Sequence, residues 1–65
     1  MDDVYVEGVA FKSAKEAAQY LRKLAGWAEY RASEVDRFSA EFRDWQARVA
    51  VARRAQADAL DPVQS

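Results

Sequence analysis

The sequence predicts a mainly α protein in which a short N-terminal β-ribbon precedes two helices that build an oligomeric helical core. Three observations carry this. Residues 4–11, VYVEGVAF, are β-branched and aromatic at both ends with Glu7-Gly8 between them. Ser13-Ala14-Lys15-Glu16 has the form of a helix-opening capping box. From Ala14 onward, apolar residues then recur at alternating steps of three and four as far as Ala52, and Arg31 is the only charged residue in that series.

The ribbon comes first. Glycine accepts the positive φ of a tight turn, so Val4–Val6 and Val9–Phe11 read as a hairpin folded at Glu7-Gly8, the alternative being a single strand bulged at Gly8. An isolated two-stranded ribbon is marginal in water and has to lean on a helix. Helix one is expected over residues 14–31, because AKEAAQYLRKLAGW consists mostly of strong helix formers. Ala14, Ala17, Leu21, Leu24 and Ala28 form its apolar face, flanked by Tyr20 and Trp27. Gly26 either closes this helix or is carried through it at a cost of about 1 kcal/mol relative to Ala.

Ser33 offers an N-cap for helix two, expected over residues 34–60, with Asp36 favourable in its first turn. One long helix through this region would keep the same apolar phase. The faltering of the pattern at Arg31 and Ser33 argues for two helices in a hairpin. Arg37 and Glu41, Asp44 and Arg48, and Arg54 and Asp58 are opposite charges four residues apart, suited to an exposed helix surface. Asp61-Pro62 ends the helix, since proline disfavours helical geometry in the residue before it, and residues 61–65 are expected to fray.

Sixty-five residues make a single small domain. A chain of this size buries only about 60% of the surface its unfolded form exposes, so it needs reinforcement. It contains no Cys and no His, which removes disulfides, cysteine-containing zinc sites and every imidazole- or thiolate-dependent triad. Oligomerisation is the reinforcement that remains. The formal charge of −1 provides no global field for nucleic acid or anionic membrane. Its distribution is uneven: residues 1–11 carry Asp2, Asp3 and Glu7 without a base, and residues 12–25 carry Lys12, Lys15, Arg22 and Lys23 against Glu16. The acidic N-terminus has no long apolar run behind it, so no signal peptide is expected, and no segment approaches the roughly 18 apolar residues of a membrane span. A cytoplasmic location is the resulting expectation.

Three constellations are candidates for function. Phe38, Phe42, Trp45, Val49 and Ala52 form an aromatic and aliphatic stripe on helix two. With helix two longer than helix one by two or three turns, the stripe is expected to join the core at its start and to form an oligomer interface beyond Trp45. Tyr20, Lys23, Trp27, Tyr30 and Arg31 interleave aromatics with cations, a pattern that can stack bases or ligands, or can cover the edge of a helix interface. Lys12, Lys15, Arg22 and Lys23 make a basic patch. Carboxylates such as Glu34 and Asp36, or Glu41 and Asp44, have arginines one turn away and read as solvated helix charges. No catalytic, metal or cofactor signature is found.

Two short stretches resemble known families. Residues 4–21 resemble the ribbon-plus-helix starts of small phage and mobile-element modules through Gly8, Phe11, Ser13, Glu16, Ala17, Ala18 and Leu21. Residues 26–37, GWAEYRASEVDR, are similar to the segment joining the helices of ribbon-helix-helix antitoxins of the ParD type, through Gly26, Ala32, Ser33, Glu34, Val35 and Arg37. The second resemblance implies a dimer whose paired strands read DNA. Here, however, the ribbon offers no Arg, Lys, Asn or Gln to bases. The expectation is therefore a non-enzymatic, homo-oligomeric binding protein, a phage or mobile-element accessory protein or inhibitor that acts on another protein. An antitoxin-like DNA-binding regulator is the alternative, and a nucleotide or small-ligand binder the third reading.

Overall fold

A computed structural model describes residues 3–62. The chain runs β1 (Val4–Val6), β2 (Val9–Phe11), α1 (Ala14–Ser33) and α2 (Ala40–Leu60). The expected mainly α architecture, an N-terminal ribbon before two helices, is present. β1 and β2 pair antiparallel with Val4 opposite Phe11 and Val6 opposite Val9, leaving the two-residue loop Glu7-Gly8. Both loop residues have positive φ, 53° at Glu7 and 82° at Gly8, which is the handedness that matches the twist of a hairpin. The ribbon is a hairpin rather than a bulged strand.

Ser13 caps α1: its backbone is extended and its Oγ accepts from the Glu16 N–H at 3.1 Å. A capping box returns the glutamate to the N–H of the cap residue itself; here Glu16 Oε2 accepts instead from the N–H of Lys12, one residue earlier, at 3.2 Å. α1 continues through Gly26 and ends at Ser33, two residues beyond the predicted limit. Ser33 does not cap a second helix. Its hydroxyl donates to the Tyr30 carbonyl at 2.7 Å, inside the last turn of α1. The cap of α2 is Ser39, whose Oγ accepts from the Phe42 N–H at 3.2 Å. Residues 34–39, predicted to open helix two, instead form the turn between the helices, held by bonds from the Arg37 and Phe38 N–H groups to the Glu34 carbonyl. Of the predicted frayed tail, Asp61 caps α2 through a 2.8 Å bond from its N–H to the Ala57 carbonyl, and residues 63–65 lie outside those described.

The helices have nearly equal lengths, 20 and 21 residues, so the predicted overhang of helix two does not exist. They pack as an antiparallel hairpin along an alanine seam. Ala25 and Ala28 of α1 meet Ala50 of α2, with Val49 packed alongside. Nearer the ribbon, Ala17, Ala18 and Leu21 meet Ala57 and Val6, with Val4, Phe11 and Leu60 around them. Leu21 is the one large side chain wholly buried among the described residues. Small residues let helix backbones approach closely, which is how a seam this poor in bulk still excludes water.

Candidate functional site

The seam on α2 follows Gln46, Ala50 and Ala57, one residue out of phase with the predicted stripe of Trp45, Val49 and Ala52. A one-residue step turns a side chain by about 100° around a helix. The stripe therefore lies on a flank of the hairpin instead of in its seam. Phe38, Phe42 and Val49 are half-buried, Trp45 is 57% exposed and Ala52 is exposed. Phe38 and Phe42 stack with ring centres 4.6 Å apart, and Phe42 meets Trp45 edge-on at 5.8 Å. The Arg37 guanidinium lies 5.8 Å above the Phe38 ring, and Arg43 Nε donates to the Phe38 carbonyl at 3.3 Å, fixing the turn end of this stack.

The two flanks of the hairpin differ in chemistry. On one, cross-helix ion pairs join Arg22 to Asp58 at 3.2 Å and Arg54 to Glu29 at 2.6 Å. Arg22 also donates to the Asp61 carbonyl at 2.6 Å. The other flank carries the ribbon: Phe11 packs on Tyr20 of α1 with ring centres 5.1 Å apart, and Glu7 pairs with Arg53 of α2. Steps of three and four residues away from those two contacts stay on the same flank. From Tyr20 they lead to Leu24, Trp27 and Arg31; from Arg53 they lead to Val49, Trp45 and Phe42. The ribbon covers only the end of the hairpin where α1 begins and α2 finishes. Leu24, Trp27, Phe42, Trp45 and Val49 thus share the half of the flank that the ribbon leaves open.

This open half draws on two constellations that the sequence kept apart. The helix-two stripe supplies most of it. The Tyr20, Lys23, Trp27, Tyr30 and Arg31 group is divided: Tyr20 is engaged by the ribbon, Trp27 and Arg31 border the open half, and Lys23 and Tyr30 sit further round the exposed side of α1. Trp27, 53% exposed, meets Tyr30 edge-on with ring centres 6.2 Å apart. Hydrogen bonding to Glu34, with the carboxylate's negative charge behind it, pushes the Tyr30 phenol above its ordinary pKa. These aromatics pair with one another and enclose no cleft. An open depression on the surface lies elsewhere, between β1 and the end of α2, lined by Tyr5, Val6, Glu7, Gln56, Ala59 and Leu60.

The basic patch is also divided. Arg22 is three-quarters buried and tied to Asp58 and Asp61, whereas Lys12, Lys15 and Lys23 are exposed and belong to no ion pair among the described residues. Of the predicted four-residue pairs, Asp44 and Arg48 meet. Arg54 and Asp58 instead reach across the hairpin to Glu29 and Arg22. Their side chains lie near the seam, where the opposite helix offers a partner, and sequence spacing alone could not show that. Among the described residues no helix is long and apolar enough to cross a membrane, and no cluster of acids could hold a metal ion. Comparison with family models, curated proteins and solved structures finds no match.

Proposed function

We propose that this chain is a non-enzymatic binding protein that acts through protein–protein contact at the open aromatic half-face. One observation carries the reading: two tryptophans more than half exposed lie beside half-buried Leu24, Phe42 and Val49 on one flank, while the intrachain seam is closed by alanine. Tryptophan, tyrosine and phenylalanine are enriched at the cores of protein interfaces, and contiguous exposed apolar patches mark interaction sites. A small phage or mobile-element accessory protein, inhibiting by covering a partner's surface, is a biological setting that fits this reading. Photocrosslinking tests it. A photoreactive residue replacing Trp45 or Trp27 should form adducts with protein, and one replacing Val51, 71% exposed on α2 outside this face, should not. Absence of protein adducts from both tryptophan positions, in cells that express the chain naturally, would remove the proposal.

A DNA-binding regulator is the second reading, favoured by exposed Lys12, Lys15 and Lys23, which belong to no ion pair among the described residues. Phosphate contacts supply most non-specific affinity, and loss of Arg22 to its two aspartates weakens the cluster. Submicromolar duplex binding at about 150 mM salt, abolished by changing the three lysines to Glu, would promote it over the first.

A further inference from the structure

We infer that the occupant of the open aromatic half-face is a second copy of this chain, the two hairpins meeting face to face with their ribbons at opposite ends. The inference rests on the reading of that half-face as a protein-binding surface and names its partner. Three features of the molecule lead to it.

The first is exposure. On the open half Trp27 is 53% and Trp45 57% exposed, with Leu24, Phe42 and Val49 half-buried beside them, and large aromatic side chains of this kind are enriched at the cores of protein interfaces. The second is need. The described core has a single large, wholly buried side chain, Leu21, and the chain has no cysteine with which to staple itself. Pairing the open halves would bury Leu24, Trp27, Phe42, Trp45 and Val49 from both copies, moving the two exposed tryptophans and their half-buried neighbours out of water.

The third is shape, together with charge. The ribbon stands on the same flank as the aromatics and makes a raised shoulder beside them. With both ribbons at the same end, the shoulders would collide and hold the aromatic halves apart. With the ribbons at opposite ends, each shoulder lies beyond the turn end of the other hairpin and the open halves can close. A two-fold axis generates this isologous contact from one patch. It also brings Arg31, at the turn end of the face, towards the start of the second copy's ribbon, where exposed Asp3 has no ion-pair partner among the described residues.

The test is sedimentation equilibrium of the full chain at concentrations up to the order of 100 μM, well above the dissociation constants of stable dimers. The wild-type chain should sediment at twice its 7.4 kDa monomer mass. Trp45→Glu should sediment at the monomer mass with its helical circular dichroism retained, because Trp45 is outside the intrachain seam. Val51→Glu should remain a dimer. A monomeric wild-type chain overturns self-pairing, and so does a Trp45→Glu variant that stays dimeric. Acrylamide quenching of a monomeric wild-type chain then separates two failures. Freely quenched tryptophans leave the face open for a different protein, whereas protected tryptophans remove both the dimer and the binding face.

Discussion

Ala50→Leu should unfold the hairpin more easily although it adds only apolar bulk. Ala50 is 3% exposed and faces Ala25 and Ala28, themselves wholly or almost wholly buried. Given free space, three extra carbons would contribute about 0.8 kcal/mol per buried methylene. Here the facing methyls already close the seam, so the new side chain has to push the helices apart or adopt a poor rotamer. Overpacking of this kind costs about 1–3 kcal/mol. In a domain of this size each kcal/mol lowers the melting temperature by roughly 4–8 °C, giving an expected fall of about 4–24 °C. Ala55→Leu makes the same chemical change at an exposed position one and a half turns along α2 and should stay within about 0.5 kcal/mol of the parent. Thermal denaturation of all three proteins at one fixed concentration reads the difference, since self-association would otherwise shift the midpoints. If Ala50→Leu melts with Ala55→Leu, the helices do not meet through Ala50 and the alanine seam is wrong.

The two glycines should respond to Ala in opposite directions. Gly26→Ala, helical with open space where its Cβ would stand, should stabilise by about 0.8–1 kcal/mol, while Gly8→Ala, at φ 82°, should destabilise by about 1–2 kcal/mol in chemical denaturation. Ser13→Ala and Ser39→Ala should each cost roughly 1 kcal/mol through loss of a cap, and Ser33→Ala should cost less, which urea midpoints for the three variants would resolve. Leu21→Ala should cost about 3–5 kcal/mol, because the alanines around it have no length with which to fill the cavity; a guanidinium titration showing under 1 kcal/mol would place the core elsewhere.

The ribbon and the start of α1 were legible because their signals are local. A turn that needs positive φ at Glu7-Gly8 and a serine three residues before a glutamate specify geometry without reference to the rest of the chain. The second helix start was misplaced for a local reason as well. It was put at Ser33, but α1 propagates to Ser33 and uses its hydroxyl, so the cap falls to Ser39, which the sequence reading did not consider. The α2 seam was misread because hydrophobic patterning weights Phe and Trp above Ala. Close helix approach reverses that weighting: the alanine line through Ala50 and Ala57 goes inward, and the aromatic line one residue away is left on the flank. The stripe from Trp45 to Ala52 was thus picked out as uncovered on the argument that helix two overhangs helix one. It is uncovered because of helical phase, in helices of matched length. Its convergence with Trp27 depends on the hairpin's register, which no single segment encodes.

Tryptophan emission followed through a dilution series reads the open face itself, since Trp27 and Trp45 both border it and a second copy seated there would cover them. Emission should be shifted to the blue at high concentration and move to the red on dilution, as the interface opens and both rings meet water, with the shift absent in Trp45→Glu. Emission that stays blue and unchanged down to the lowest concentration at which the chain is monomeric would mean that the rings are buried within a single chain, contradicting the alanine seam and the open face together.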